Sequence, residues 1–338
     1  MRRRSPLLAT LLATLLLTPL PVRAETVVAS IGFDEAPRPA GLPDGLQPAP
    51  GAALRFLSLR AIDNNRVDAA LWTPGATAPA DTTLVVAVHG SGSNFLRPPM
   101  GSLGRGLSAG GRAVLSISTR QQNDRINTDN FFDIRRDIEA AVATGRALGF
   151  RRIVLAGHSL GNIQVQFLAA TDWSPDIRGV MLLAPFANLP WKTRTILMAD
   201  EAAYRGLNAA ARTLLREGRP AERLPSPMGY YTGERVPVTA QHFLTYRSDA
   251  VSAADGTFWI RRVPRPILIL RDAADAVIQP FEPHMLLAAA SAEGALPPEA
   301  RFVLLPNSRP PSLAAHSFAD TGDALVEAAS AWLRDQGL

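Results

Sequence analysis

The chain has 338 residues, 47% of them apolar, with five histidines and no cysteine; the missing cysteines exclude disulfides, thiolate metal sites and a cysteine nucleophile. Its formal charge is +5, but four of the 35 basic residues (Arg2, Arg3, Arg4 and Arg23) fall in the first stretch, leaving 31 against 30 acidic ones. That near-balance, with no cluster of arginines interleaved with aromatics, argues against a nucleic-acid partner.

Met1 to Ala24 reads as a secretory signal: three arginines, an apolar run from Leu7 to Leu20, and Val22-Arg23-Ala24 as a cleavage site. Thr10, Thr14, Thr18 and Pro19 interrupt the run, which is short for a bilayer span of about 20 residues. The expectation is cleavage near Ala24 and an exported mature protein, periplasmic or secreted, with no stable membrane insertion. Residues 25–52, rich in Pro, Gly and Ala, read as an irregular N-terminal arm.

Beyond the arm, Leu54 to Arg60 and Arg66 to Trp72 alternate as antiparallel strands do, with Asp63-Asn64-Asn65 supplying the turn. Thr83 to Val88 (TLVVAV) is continuously apolar, as a strand covered on both faces must be. A helix at Pro99 to Ala109, a strand at Ala113 to Ser118 and a helix at Phe131 to Leu148 follow, the last with Asn130 as its cap. Gly145 falls on that helix's apolar face, where a missing side chain permits close packing. Strand Ile153 to Ala156, helix Ser159 to Ala170 and strand Gly179 to Leu183 continue the alternation. Such succession predicts an α/β class with a doubly wound, mostly parallel sheet.

The rhythm stops over residues 186–263, which hold an amphipathic helix (Glu201 to Glu217), a turn region (Pro220 to Val238) and many aromatics. This stretch reads as a helical lid inserted into a core formed by residues 53–185 and 264–338. Strand Ile267 to Leu270, a helix from Pro283 to Glu293, strand Phe302 to Leu305 and a helix from Phe318 to Arg334 complete the core. Lys192 is the only lysine; it reads as a by-product of arginine-biased composition and carries no functional weight.

The chemistry centres on Gly157-His158-Ser159-Leu160-Gly161, between an apolar strand and a helix. In that context Gly-x-Ser-x-Gly is a strained turn that presents a serine hydroxyl beside the positive end of a helix. A nucleophilic Ser159 needs a base, and His316 follows the last strand by about ten residues. The other histidines suit this less: His284 lies in a helix, His242 in the insertion, His158 inside the motif and His89 at a strand end. The base needs an acid to fix its tautomer. Asp275 and Asp272 both follow ILIL; Asp275, deeper in the loop and followed by apolar Val277 and Ile278, is preferred, with Asp272 kept as the alternative. His89-Gly90-Ser91-Gly92-Ser93 offers the amide of Ser91, or of Gly92, as a partner for the Leu160 amide in an oxyanion hole. Each such donor is worth about 3 to 4 kcal/mol in the transition state.

HGSGS at 89 to 93, GHSLG at 157 to 161, the Asp275 loop and His316, in that order, resemble the α/β-hydrolase superfamily from residue 54 onward. The resemblance implies a serine esterase or lipase-like enzyme with Ser159 as nucleophile, Asp275 as acid, His316 as base, and Ser91 and Leu160 as the oxyanion hole. It implies no cofactor and a small-molecule ester-like substrate; the five histidines include no HxxxH or HxH pair, so no metal site is expected, and oligomeric state is left open. Many relatives carry a glycine before the acid loop, where this chain has Arg271-Asp272. Two other functions fit the same residues: an acyltransferase using the same acyl-enzyme, and a non-catalytic binding protein on the hydrolase fold.

Overall fold

The computed structural model describes residues 32–39, 42, 46–75, 77–231 and 233–338. The expected signal and the start of the expected arm lie outside them. Among the described residues nine strands form one sheet: β1 (Phe33–Ala36), β2 (Ala53–Arg60), β3 (Arg66–Thr73), β4 (Thr83–Val88), β5 (Ala113–Ile117), β6 (Arg152–His158), β7 (Ile177–Leu183), β10 (Ile267–Asp272) and β11 (Ala300–Leu305). Their order is β1-β2-β3-β5-β4-β6-β7-β10-β11. The six strands from β5 to β11 run parallel, and β1, β2 and β3 pair antiparallel at one edge. A separate hairpin joins β8 (Met228–Gly229) to β9 (Arg235–Val236).

Strand β1 corrects the picture of residues 25–52 as wholly irregular. Phe33 pairs with Leu59 and Ala36 with Phe56, closing the exposed edge of β2, a match too short for its composition to announce. Strands β6 and β10 also outrun the expected Ile153 to Ala156 and Ile267 to Leu270. The extra residues lack the apolar signal but stay in the ladder: His158 aligns with Leu183 and Asp272 with Leu305.

The helices are α1 (Met100–Ala109), α2 (Ile134–Ala147), α3 (Leu160–Thr171), α4 (Leu189–Lys192), α5 (Glu201–Arg216), α6 (Ala240–His242), α7 (Gly256–Ile260), α8 (Glu282–Ala290), α9 (Leu313–His316) and α10 (Gly322–Asp335). The long helix expected from Phe131 starts as a single 3-10 turn, Phe131–Asp133, whose cap Asn130 accepts a hydrogen bond from the Phe132 amide at 3.0 Å. The last helix begins later than expected because Phe318 has φ +56°, which separates α9 from α10. His316 therefore ends a short helix, whereas the sequence suggested an open loop.

Side chains alternate across each central strand, so Val85 and Ala87 of β4 enter one apolar layer and Leu84, Val86 and Val88 the other. Each fully buried aliphatic chain contributes roughly 1.5 to 3 kcal/mol. Gly145 sits where a Cβ would come within 2.4 Å of Leu84, so α2 approaches the sheet closely there. Between β7 and β10, helices α4 to α7, the β8–β9 hairpin and two π-helical stretches, Thr193–Met198 and Phe243–Arg247, form the inserted region. It has an apolar cluster of its own around Tyr204, Leu207, Met228 and Phe243. Among the described residues no helix is long and apolar enough to cross a membrane.

Candidate active site

Three strand ends build the site. At the end of β6, Ser159 has φ +52° and ψ −118°, a conformation costing about 1 to 3 kcal/mol that persists only where neighbours enforce it. They do so here. The Ser159 amide donates to Leu183 O at 2.9 Å, and the buried Asn162 side chain donates to Ser159 O at 2.9 Å and Leu183 O at 2.7 Å. The bend needs both motif glycines: a Cβ on Gly157 would stand 2.4 Å from Gly161 O, and one on Gly161 2.5 Å from Val88 O. Leu160 is the first residue of α3, so its amide is among those with no partner inside the helix.

The acid and the histidine come from the loops after β10 and β11. Asp275 Oδ2 is 2.9 Å from His316 Nδ1, while its Oδ1 accepts from the amides of Val277 at 2.7 Å and Ile278 at 3.0 Å. Burial pushes the Asp275 carboxyl upward, but His316 and the two amides outweigh it and hold the group below its usual range. Backbone hydrogen bonds from Ser312 to Ala274 and from Ala276 to Ser312 tie the two loops together. Asp272 is occupied elsewhere: it accepts from the Ala274 amide at 2.7 Å, Asn307 Nδ2 at 3.0 Å and Thr321 Oγ1 at 2.6 Å. Of the two candidate acids, Asp275 alone is hydrogen-bonded to His316.

Ser159 and His316 line one cavity of about 330 Å³ with Ser91, Gly92, Tyr230 and Tyr231. Among the described residues the hydrogen-bonded chain runs from the loop amides through Asp275 to His316. Ser159 shares the cavity with His316, and in enzymes such a serine–histidine contact often closes only with substrate bound. Ser91 and Ser93 border the same cavity, in a turn where the Ser93 amide donates to Gly90 O at 3.2 Å and Gly92 has φ +62°. His89 anchors that turn, accepting from the Thr119 amide at 3.0 Å through Nε2; burial lowers its pKa to about 4, so it is neutral. A larger hollow of about 600 Å³ between α1 and α10 contains no histidine. Among the described residues no three of His, Asp and Glu gather as a metal ion would require.

The model of the alpha/beta hydrolase family matches residues 85–328. The chain belongs to the alpha/beta hydrolase family. No curated protein sequence matches it, whereas many solved structures share its fold. Est1E from Butyrivibrio proteoclasticus, solved with ferulic acid bound, is 17% identical with a TM-score of 0.60, the match covering 81% of this chain and 96% of that one. An esterase domain from Rhodothermus marinus is 19% identical with a TM-score of 0.55, over 84% and 98%. An esterase from Pyrococcus furiosus is 12% identical with a TM-score of 0.52, over 84% and 91%.

Several residues around the site of this alpha/beta hydrolase escaped the sequence reading. His158, the variable residue of the motif, donates from Nε2 to His316 O at 2.9 Å, its ring 4.9 Å from that of His316. Burial and the neighbouring His316 lower its pKa to about 3, so it is a neutral donor. Arg271 is buried and donates to Ile278 O at 2.9 Å and Asp275 O at 3.0 Å, so it braces the acid loop. Lys192 is the sharpest correction. The lone lysine is buried, with Nζ 2.5 Å from Glu282 Oε2 and 2.6 Å from Val277 O, and burial lowers its pKa despite that carboxylate. It joins α4 to the loop carrying Asp275. The only sequence signal was its rarity, which composition alone could not connect to Glu282, 90 residues away.

Proposed function

We propose that this alpha/beta hydrolase is a serine carboxylesterase. Ser159 attacks the ester carbonyl while His316 takes its proton; the alcohol leaves with that proton and an acyl-enzyme forms. Water activated by His316 then releases the acid and restores Ser159. Asp275 holds His316 in the tautomer that keeps Nε2 free to act as base. The amides of Leu160 and Ser91 stabilise the oxyanion, and Gly92 offers the same service if the turn presents its amide instead. The observation that carries this reading is the Asp275–His316 hydrogen bond beside a cavity into which the strained Ser159 opens.

The esterases among the similar structures support ester cleavage, and Est1E is solved with an aryl acid, ferulic acid, bound. The Tyr230 and Tyr231 rings in the cavity wall suit a partly apolar acyl or aryl group. The sequence of residues 1–24 supports export, with the mature chain starting near Glu25. We further read the inserted region as a lid over the cavity, since Tyr230 and Tyr231 belong to it.

The test is a screen of purified mature protein against 4-nitrophenyl esters of increasing chain length, with Ser159→Ala as the blank. Turnover confined to the unsubstituted protein is the expected result. Equal rates in both would remove Ser159 from the mechanism, and N-terminal sequencing of exported protein checks cleavage at Ala24.

A further inference from the structure

Arg247, at the end of the π-helical stretch Phe243–Arg247, is fully buried. Its Nη1 donates to Tyr231 Oη at 3.1 Å, and its guanidinium lies over the rings of Tyr231 and Tyr230, 5.5 and 5.9 Å from their centroids. Its Nε and Nη2 have no hydrogen-bond partner among the described residues. The buried carboxylates nearby are committed elsewhere. Asp129 is shared between His242 at 3.0 Å and Tyr246 at 2.7 Å, and Glu282 is taken by Lys192. A buried guanidinium with no counter-ion is expensive, and cation–π contact with two tyrosines offsets only about 1 to 2 kcal/mol for each.

Those two tyrosines also line the cavity that holds Ser159 and His316. The charge thus stands one ring behind the wall of the reaction chamber, with two donors idle. Guanidinium donors held in a fixed fork match a carboxylate geometrically as well as in charge.

We propose that Arg247 is a specificity residue that receives a carboxylate on the substrate, so that the preferred substrates are esters carrying a free acid at the end remote from the scissile bond. Because Nε and Nη2 are buried behind Tyr230 and Tyr231, the acid reaches them only when those rings turn aside, and it then supplies the missing counter-ion. This rests on the esterase reading of the same cavity and narrows its substrate class.

The test compares two esters of equal chain length, mono-4-nitrophenyl adipate and 4-nitrophenyl hexanoate, with Ser159→Ala as the blank. The unsubstituted protein should favour the adipate ester by at least about tenfold in kcat/KM, the scale of one hydrogen bond to a charged group. Arg247→Met should remove that preference through KM, losing at least about tenfold more on the adipate ester than on the hexanoate ester. Arg247→Lys, which keeps the charge and loses the fork, should retain part of it and serves if the methionine variant does not fold. No preference in the unsubstituted protein, or an unchanged preference in a folded variant, overturns the proposal. If neither ester is hydrolysed, the esterase reading fails and a binding measurement still decides Arg247. Calorimetry on Ser159→Ala should show monoethyl adipate binding at least about tenfold tighter than ethyl hexanoate, and equal binding overturns the carboxylate site.

Discussion

Among the described residues lie two buried Asp–His pairs of almost identical geometry. Asp275 meets His316 Nδ1 at 2.9 Å and Asp129 meets His242 Nδ1 at 3.0 Å. His316 borders a cavity shared with a strained serine. His242 is stacked 4.3 Å from the Tyr246 ring, with its Nε2 buried and unpartnered among the described residues, and its aspartate also accepts from the Tyr246 hydroxyl. The Asp129 pair fastens the inserted region to the loop before α2. An Asp–His hydrogen bond therefore carries no chemistry by itself: the open cavity and the serine beside it distinguish the two.

The largest effect should come from removing what only one pair has. Ser159→Ala should lower ester turnover by at least roughly three orders of magnitude, with the thermal midpoint little changed because a small side chain is replaced by a smaller one. A variant that keeps a tenth of the activity would mean another serine, Ser91 or Ser93, does the work.

Next come matched substitutions in the two aspartates. Asp275→Asn should reduce kcat by roughly 10³- to 10⁴-fold, since the amide fixes the wrong tautomer. Asp129→Asn should leave kcat within about threefold and cost about 1 to 3 kcal/mol of stability, as a disturbed buried hydrogen bond does. Denaturant titration and steady-state kinetics on both variants separate these outcomes; a reversed pattern would exchange the roles of the pairs. Lys192→Met should destabilise by about 3 to 5 kcal/mol by leaving Glu282 buried and alone. The double variant Lys192→Met, Glu282→Gln should recover much of that loss, and failure to recover would mean that the lysine acts through Val277 alone.

Acid should sort the two pairs by pH. Burial lowers the pKa of His242, despite Asp129, as it lowers His158 to about 3 and His89 to about 4. The unfolded chain binds those protons first, so stability should fall as pH drops below the ordinary histidine value of about 6.5, by up to about 1.4 kcal/mol per unit for each histidine. Asp275 has a lowered pKa, so its contribution is present above the unfolded carboxylate value of about 3.9 and is lost only below it. Urea midpoints measured from pH 7 to pH 3 should therefore decline well before carboxylates titrate. A plateau down to pH 4 would show that these histidines do not bear on stability.

Much of this was legible in the residues. Continuous apolar runs such as TLVVAV and ILIL placed the parallel strands because burial on both faces leaves no room for polar alternation. The glycines of GHSLG signalled the bend, since its backbone approach excludes a Cβ. What stayed hidden depends on distances across the fold. The choice between Asp275 and Asp272 turns on which carboxylate meets His316 and which meets Thr321. Lys192 finds Glu282, and Arg247 finds no carboxylate among the described residues, only once the inserted region is packed. Short pairings such as β1 and the β8–β9 hairpin carry too few residues to show a period.

Ser159, activated by the Asp275–His316 pair, is the proposed nucleophile. Treating purified protein with a fluorophosphonate and mapping the adduct by peptide mass tests it most directly. A single label on Ser159 is expected, absent from Ser159→Ala and strongly slowed in Asp275→Asn but not in Asp129→Asn. An adduct on Ser91, Ser93 or Ser317, or no adduct on folded protein, would contradict it.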